Sequence, residues 1–386
     1  MSLKKFFFFF TGKRGGFSHF VPIIRELEKQ KKINFKIIAG DMHLSSFFGK
    51  TIKEIKKYTN NIVRLKNFDI NNSISNRVKN ISKTTLEMSK IFKKIKPDFL
   101  FLLGDRGEVL GASIAALHHN IPIIHMYGGD VTQGGTDEPT RHAITKISNI
   151  HLVSNKKSYN NILKMGEEPW RVHNVGLSSL DLFNKKNFKT KEFLEKKYKI
   201  DLKKPVIILI QHSVTWQINQ AKKQIQETLK ALKLLKIQTI AVYPCSDPGY
   251  LEIVKELEKN KCSFLQCYKN IEITEFYSLV KYASLIVGNS SCGIMETNFF
   301  KKIAINIGIR QEGRFSGKNI INVKHDYKKI IGAIKKGLKL YNNKNINIFE
   351  KKIYGNGKSV KKIMEAINKN HINDKQKLIQ KKFIEK

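Results

Sequence analysis

Short runs that are apolar at every position recur along this chain, spaced by amphipathic stretches, and that alternation leaves few folds open. Phe6–Phe10, Phe35–Ala39, Phe99–Leu103, Ile121–Met126 and Ile150–Val153 read as strands, with helical segments such as Pro22–Gln30, Ser73–Ile95 and Val109–His118 between them. A strand with one face in water alternates polar with apolar. A strand apolar nearly throughout is covered on both faces, as in a parallel sheet with helices on either side. The pattern pauses over a Lys-rich stretch, Lys185–Lys204, and restarts with Val206–Ile210, Thr239–Tyr243, Leu285–Val287 and Ile303–Ile307. The expected fold is α/β, with two Rossmann-like domains facing a cleft. The first is expected over residues 1–184 and the second over 190–355. A final amphipathic helix within 358–370 is expected to pack back on the first domain, by analogy with two-domain folds of this kind. Residues 371–386 read as a polar, frayed tail.

Of 386 residues, 71 are Lys or Arg and 32 Asp or Glu, a net charge of +39. Such a balance raises the possibility of a nucleic-acid or membrane partner. The charge is spread along the whole chain, however, and only nine of the basic residues are Arg. No nucleic-acid recognition module accompanies it, so the reading is no nucleic-acid partner. The four cysteines, Cys245, Cys262, Cys267 and Cys292, show no C-x-x-C spacing and read as free thiols of a reducing compartment. The Phe6–Phe10 run is too short for a secretory leader, and nothing approaches the roughly 20 apolar residues of a membrane span. The expected location is the cytoplasm, with no membrane partner.

In open α/β sheets the chemistry sits at the carboxyl ends of the strands. Those positions carry Thr11–Ser18 with Arg14 and Ser18, then Gly104-Asp105-Arg106-Gly107-Glu108, then Tyr127-Gly128-Gly129-Asp130 running on to Asp137-Glu138 and Arg141-His142. In the second half they carry Gln211-His212-Ser213, Gly288-Asn289-Ser290-Ser291-Cys292-Gly293 with Glu296 beyond, and Gly308–Arg314 with Arg310. A Gly/Ser turn opening a helix offers free N–H groups to a phosphate. Arg14, Arg310 and Arg314 are guanidinium forks suited to a diphosphate. Glu296 suits ribose hydroxyls, and Asp105, Asp137 and Glu138, with His212, supply acid–base groups. Taken singly, a Ser-Ser turn is more often a helix cap and a strand-end Asp a turn residue. It is their recurrence at successive strand ends that argues for a site. There is no G-x-G-x-x-G, no P-loop and no Cys/His cluster, so no dinucleotide, P-loop nucleotide or metal is expected.

These stretches, together with Arg141-His142-Ala143-Ile144-Thr145-Lys146, resemble the UDP-N-acetylglucosamine 2-epimerase family, and in particular its hydrolysing branch in sialic- and legionaminic-acid-type pathways. The resemblance runs from about Phe6 to Val323. It implies a glycosyltransferase-B type fold, a UDP-sugar substrate, no cofactor, and a homodimer or homotetramer. By position it implies that Arg14, Ser18, Arg106, Ser290, Ser291, Gly293, Glu296 and Arg310 hold UDP. It likewise implies catalytic roles for Asp105, Asp137, Arg141 and His212. The implied reaction is loss of UDP from C1 with removal of the C2 proton, then hydration of the glycal with inversion at C2. The substrate is UDP-N-acetylglucosamine or a UDP-2,4-diacetamido-trideoxyhexose. Alternatives on the same fold are a glycosyltransferase and a non-hydrolysing epimerase. Three departures stand out. Tyr127 occupies a usual catalytic Glu position, with Asp130 the candidate to replace it. Gly16 stands where an acidic residue is common, and Cys245 where Asn usually precedes Asp247.

Overall fold

A computed structural model describes the chain apart from residues 1–4, 31–32, 72, 184–187, 344–346, 351–352, 370–373 and 386. Part of the expected domain junction, residues 184–187, therefore lies outside the described residues. The chain divides into two compact units. Unit 1 comprises Met1–Asp130, Asp137–Leu182 and Tyr354–Lys386, and unit 2 comprises Val131–Thr136 and Phe183–Ile353.

Unit 1 opens with β1 (Lys5–Thr11), α1 (Arg14–Leu27), β2 (Ile33–Ala39), α2 (Ile52–Ile55) and β3 (Ile62–Arg64). It continues with α3 (Ile74–Lys94), β4 (Phe99–Leu103), α4 (Gly107–His118), β5 (Ile123–Met126), α5 (Asp137–Ile147), β6 (Ile150–Val153), α6 (Lys156–Lys164) and β7 (Val172–Asn174). Its seven strands are parallel, in the order β3-β2-β1-β4-β5-β6-β7. The run of phenylalanines forms the central strand because both of its faces are covered. Phe8 and Phe10 enter a core with Met88 and Phe92 of α3 and Ala112 and Ala116 of α4. Phe7 and Phe9 face the other way, onto Phe99, Phe101, Phe20 and Phe35. All four are 0–1% exposed, and each stabilises the fold by about 1.5–3 kcal/mol through burial.

Unit 2 runs α7 (Lys191–Tyr198), β8 (Val206–Ile210), α8 (Ala221–Leu235), β9 (Gln238–Val242), α9 (Tyr250–Lys259) and β10 (Leu265–Tyr268). It then runs α10 (Ile273–Tyr282), β11 (Leu285–Gly288), α11 (Ser291–Met295), β12 (Ile303–Ile307), β13 (Ile320–Val323) and α12 (Tyr327–Asn342). Its six strands are again parallel, ordered β10-β9-β8-β11-β12-β13. The core on one face is aliphatic, with Ile207, Leu209, Leu285, Ile303 and Ile305 packed on Ile225, Leu229, Ile253 and Ile334.

Two parallel-sheet α/β domains are therefore present as the sequence implies, and every strand read from it is found. The four strands it does not reveal, β3, β7, β10 and β13, are the outer strands of the two sheets. Helix α3 starts where expected, capped by Ser73, whose Oγ accepts from the Asn76 N–H at 3.1 Å. Helix α1 differs. It begins at Arg14 and carries Pro22 inside it, so most of the expected loop Thr11–Ser18 is helical.

α13 (Ser359–Ile367) lies against α1, and the Asp181 carboxylate accepts from the Ser359 and Val360 N–H groups at its start. Beyond it, α14 (Lys375–Ile379) is docked on unit 1 rather than frayed. The fully buried Arg171 donates to the carbonyls of Lys377, Leu378 and Gln380, and Leu378 is 1% exposed. Lys381 reaches Glu167 at 2.8 Å. Backbone carbonyls and one buried leucine hold a segment whose polar composition hides them. No described helix is long and apolar enough to cross a membrane.

Candidate functional site

The strand orders place a topological switch point in each sheet, between β1 and β4 in unit 1 and between β8 and β11 in unit 2. Crevices at such points are where open α/β sheets bind ligands, because the flanking loops diverge there.

In unit 1, Gly104 follows β4 with φ +81° and turns the chain into Asp105. The Asp105 side chain is 20% exposed and pairs with Arg141, itself 1% exposed on α5. Arg141 also donates to the Asp130 carbonyl at 3.0 Å. Burial opposes the guanidinium charge. Asp105, Asp130 and Asp137 outweigh that cost and raise its pKa, so three carboxylates named from the sequence converge on one cation. Asp137 is the first residue of α5, one turn before Arg141. Asp130 is 3% exposed and accepts from the Ser158 hydroxyl at 3.3 Å.

Other residues named from the sequence are engaged within unit 1. Arg106 is 6% exposed and pairs with Glu108 at 2.5 Å, alongside Arg77 and Asp41. Burial alone would raise the Glu108 carboxyl, but the Arg106 and Arg77 charges win and hold it well below the usual carboxylate range. Arg14 is the first residue of α1, and Ser18, inside that helix, donates its hydroxyl proton to the Gly15 carbonyl at 2.6 Å. Tyr127 has φ +66° and is 5% exposed. Its hydroxyl lies 2.9 Å from Ser178 Oγ, accepts from the Ser178 N–H, and lies 3.2 Å from His19 Nδ1. The tyrosine at the usual Glu position thus ties α1 to the Ser178 turn.

In unit 2, β8 delivers His212 and β11 delivers the Gly288–Gly293 turn. Gly288 has φ +126°, and a Cβ there would sit 2.1 Å from the Ile210 carbonyl, so only glycine lets the two strand ends approach this closely. Asn289 then locks His212 in place: its Oδ1 accepts from the His212 N–H at 2.7 Å and its Nδ2 donates to the His212 carbonyl at 2.9 Å. The Cys245 N–H donates to His212 Nδ1 at 3.0 Å, so a neutral ring carries its proton on Nε2. Ser290 occupies the N-cap of α11 without a capping bond from its side chain. Ser290 and Gly293 line a small depression with Ile210, Ile294 and Asn306.

Glu296 ends α11, 5% exposed, and accepts from Tyr277 at 2.8 Å. Arg310 lies 3.5 Å from Asp247 and donates to the Asn289 carbonyl at 3.4 Å, where Gln311 also donates at 2.9 Å. Arg314 reaches Met295 Sδ at 3.0 Å. Segment Val131–Thr136 packs here as well, with Gln133 N–H on the Glu312 carbonyl and Thr136 N–H on Thr215 Oγ1, both at 2.9 Å. Among the described residues, no three His, Cys, Asp or Glu are grouped to hold a metal.

Sequence reasoning passed over Asn289, Gln311, Tyr277 and the pairing of Asp247 with Arg310. Asn289 lay inside a quoted motif but read as a spacer. Its partner His212 is 77 positions away, and only the sheet brings them together.

The model of the UDP-N-acetylglucosamine 2-epimerase family matches residues 25–368. The chain belongs to that family. It is 30% identical over 361 residues to the hydrolysing UDP-N,N'-diacetylbacillosamine 2-epimerase of Legionella pneumophila, covering 92% of this chain and 94% of that protein. It is 33% identical over 304 residues to the hydrolysing GDP/UDP-N,N'-diacetylbacillosamine 2-epimerase of Campylobacter jejuni, covering 78% and 79%. The resemblance to the hydrolysing branch is borne out by these two relatives. The solved UDP-GlcNAc 2-epimerase of Neisseria meningitidis, bound to UDP-GlcNAc, superposes with a TM-score of 0.77 at 19% identity, over 95% of this chain and all of that one. That likeness places the epimerase chain in the glycosyltransferase-B-like fold.

Proposed function

We propose that this epimerase is hydrolysing and acts on a UDP-2,4-diacetamido-trideoxyhexose, releasing UDP and the free 2-epimerised sugar. The observation that carries the reading is the pair of hydrolysing diacetylbacillosamine epimerases at 30% and 33% identity. UDP-N-acetylglucosamine is the second candidate, favoured by a 29% identical UDP-N-acetylglucosamine 2-epimerase of Neisseria meningitidis.

In the proposed chemistry, Ser290, Ser291, Gly293, Glu296 and Arg310 hold UDP. Asp105, Asp137 and Asp130 carry the proton transfers, Arg141 fixes their orientation, and His212 donates through Nε2. A sugar C2–H is not acidic, so departure of a well-neutralised diphosphate must drive its removal. The C1–O bond breaks as the C2 proton passes to a carboxylate, giving a glycal and UDP. Water then adds its oxygen at C1 and a proton returns to the opposite face of C2. The engaged hydroxyl of Tyr127 supports leaving it out of the proton transfers, with Asp130 in the missing carboxylate's role. Self-association into a dimer or tetramer belongs to the same proposal and is read by light scattering.

The test runs both UDP-sugars side by side in heavy water, with proton NMR of the products. The expected result is faster turnover of the diacetamido sugar, one deuterium at C2 with inverted configuration, and a solvent-derived C1 oxygen. Full retention of the C2 proton would overturn the elimination. Release of little sugar without an added acceptor would point to a glycosyltransferase instead.

A further inference from the structure

Among the polar side chains that unit 1 buries and the proposed chemistry does not use, two adjoin Asp105 and Arg141. His125 on β5 and Thr145 on α5 are each 0% exposed. His125 Nε2 lies 2.8 Å from the Gly104 carbonyl oxygen. A carbonyl only accepts, so Nε2 carries the ring proton and Nδ1 of the neutral ring is an acceptor. Thr145 Oγ1, 3.3 Å from Nδ1, supplies the matching donor. Burial pushes His125 down to about 3, which keeps the ring neutral and its tautomer fixed. Gly128 leaves room for the pair: a Cβ there would come within 2.7 Å of Thr145 Oγ1 and 2.8 Å of His125 Nδ1.

This chain of bonds leads to one place. Gly104 immediately precedes Asp105, so the peptide whose oxygen His125 holds is the one that enters Asp105. Thr145 is one helical turn from Arg141, whose guanidinium holds the Asp105 carboxylate and the Asp130 carbonyl. Asp105 is therefore gripped twice, at its side chain by Arg141 and at its preceding carbonyl through His125, and both grips are anchored on α5. The geometry points to His125 as a positioning residue for Asp105, with Thr145 selecting the tautomer that does the positioning. This rests on reading Asp105 as an acid–base group of the epimerase reaction. A neutral ring suits the task, since it fixes the turn without adding a second charge beside the Asp105–Arg141 pair. Displacement of a reacting group by about 1 Å can cost on the order of a hundredfold in rate, so a buried strut of this kind is worth keeping.

Four variants test it by kcat, KM, melting temperature and UDP affinity: His125→Leu, His125→Gln, Thr145→Val and Asp105→Asn. The glutamine amide N–H can reach the same carbonyl, and valine matches threonine in shape. In the expected result His125→Leu loses at least about tenfold in kcat, with KM and UDP affinity unchanged, and His125→Gln recovers most of that loss. Thr145→Val falls between them. Equal losses in His125→Leu and His125→Gln, tracking the melting temperature, would reduce the residue to core packing and overturn the inference. If His125→Leu does not fold, an unchanged kcat in Thr145→Val overturns it equally. If Asp105→Asn is inactive while His125→Leu keeps its full kcat, only the positioning role falls. If Asp105→Asn retains its kcat, the role given to Asp105 falls first.

Discussion

The two sheets share one order over six strands, to which unit 1 adds a seventh, and differ in what they place at the switch point. At the first, carboxylates and guanidiniums are packed into ion pairs: Asp105 with Arg141, and Asp41 and Glu108 around Arg77 and Arg106. At the second there is one such pair, Arg310 with Asp247, and most of the holding is through the main chain, His212 by Asn289 and Cys245, and Arg310 also on the Asn289 carbonyl. The cores differ in step, aromatic around β1 and aliphatic around β8. One topology can therefore serve two chemistries. The sheet supplies places, and the residues at the strand ends decide whether a place suits proton transfer or anion binding.

The largest expected difference between the units is in acid. Burial lowers His43 and His125 to about 3 and His173 to about 4, with His19 also at about 3, all in unit 1. In unit 2, burial lowers His325 to about 4. Below about 6.5, the ordinary histidine value, the unfolded chain binds protons that these folded rings refuse. Stability is thus full above that pH and lost as it falls towards 4, at about 1.4 kcal/mol per unit of depression for each ring. Hydrogen exchange followed by mass spectrometry should show unit 1 opening first between about pH 6 and pH 4. Simultaneous opening would erase the contrast.

Next comes the division between rate and affinity. Asp105→Asn should cost at least about a hundredfold in kcat, the low end of what a general acid or base contributes, and leave UDP binding unchanged. Near-normal turnover would remove Asp105 from the catalytic set. Conversely, Arg310→Ala deletes a charge-assisted contact worth about 1.5–3 kcal/mol, so calorimetry should find UDP bound roughly ten- to a hundredfold more weakly. Unchanged affinity would mean that unit 2 does not hold the diphosphate through this residue. The smallest effect is sharpest in sign. Tyr127→Phe should lower stability by about 1 kcal/mol through the lost hydroxyl bonds and leave kcat within a few fold. A collapse of kcat with no change in melting temperature would make Tyr127 a proton-transfer group after all.

The sheets' centres were legible in the chain because a strand buried on both faces has to be apolar throughout, as Phe6–Phe10 and Val206–Ile210 are. The edges were not. Ile62–Arg64, Val172–Asn174, Leu265–Tyr268 and Ile320–Val323 each keep part of their surface in water, so polar residues interrupt them and the run disappears. Pro22 read as a helix start because proline favours the first turn, whereas tertiary packing of Phe17, Phe20, Val21 and Ile24 carries α1 through it.

The same line divides the site. By itself the sequence determined which loops carry hydroxyls, carboxylates and guanidiniums, since strand ends and glycines are local features, and its motifs sufficed for the family. Whether a named group stands open or engaged was decided only by the tertiary structure. Arg106 and Tyr127 look like their counterparts in any motif, yet one is drawn into ion pairs with Glu108 and Asp41 and the other onto Ser178. Asn289 and His125 look like spacers, yet they hold His212 and the Gly104 turn. A hydrogen bond depends on distance in space, and the partners of Gly104, Tyr127 and His212 are 21 to 77 residues away along the chain, a separation that no local pattern records.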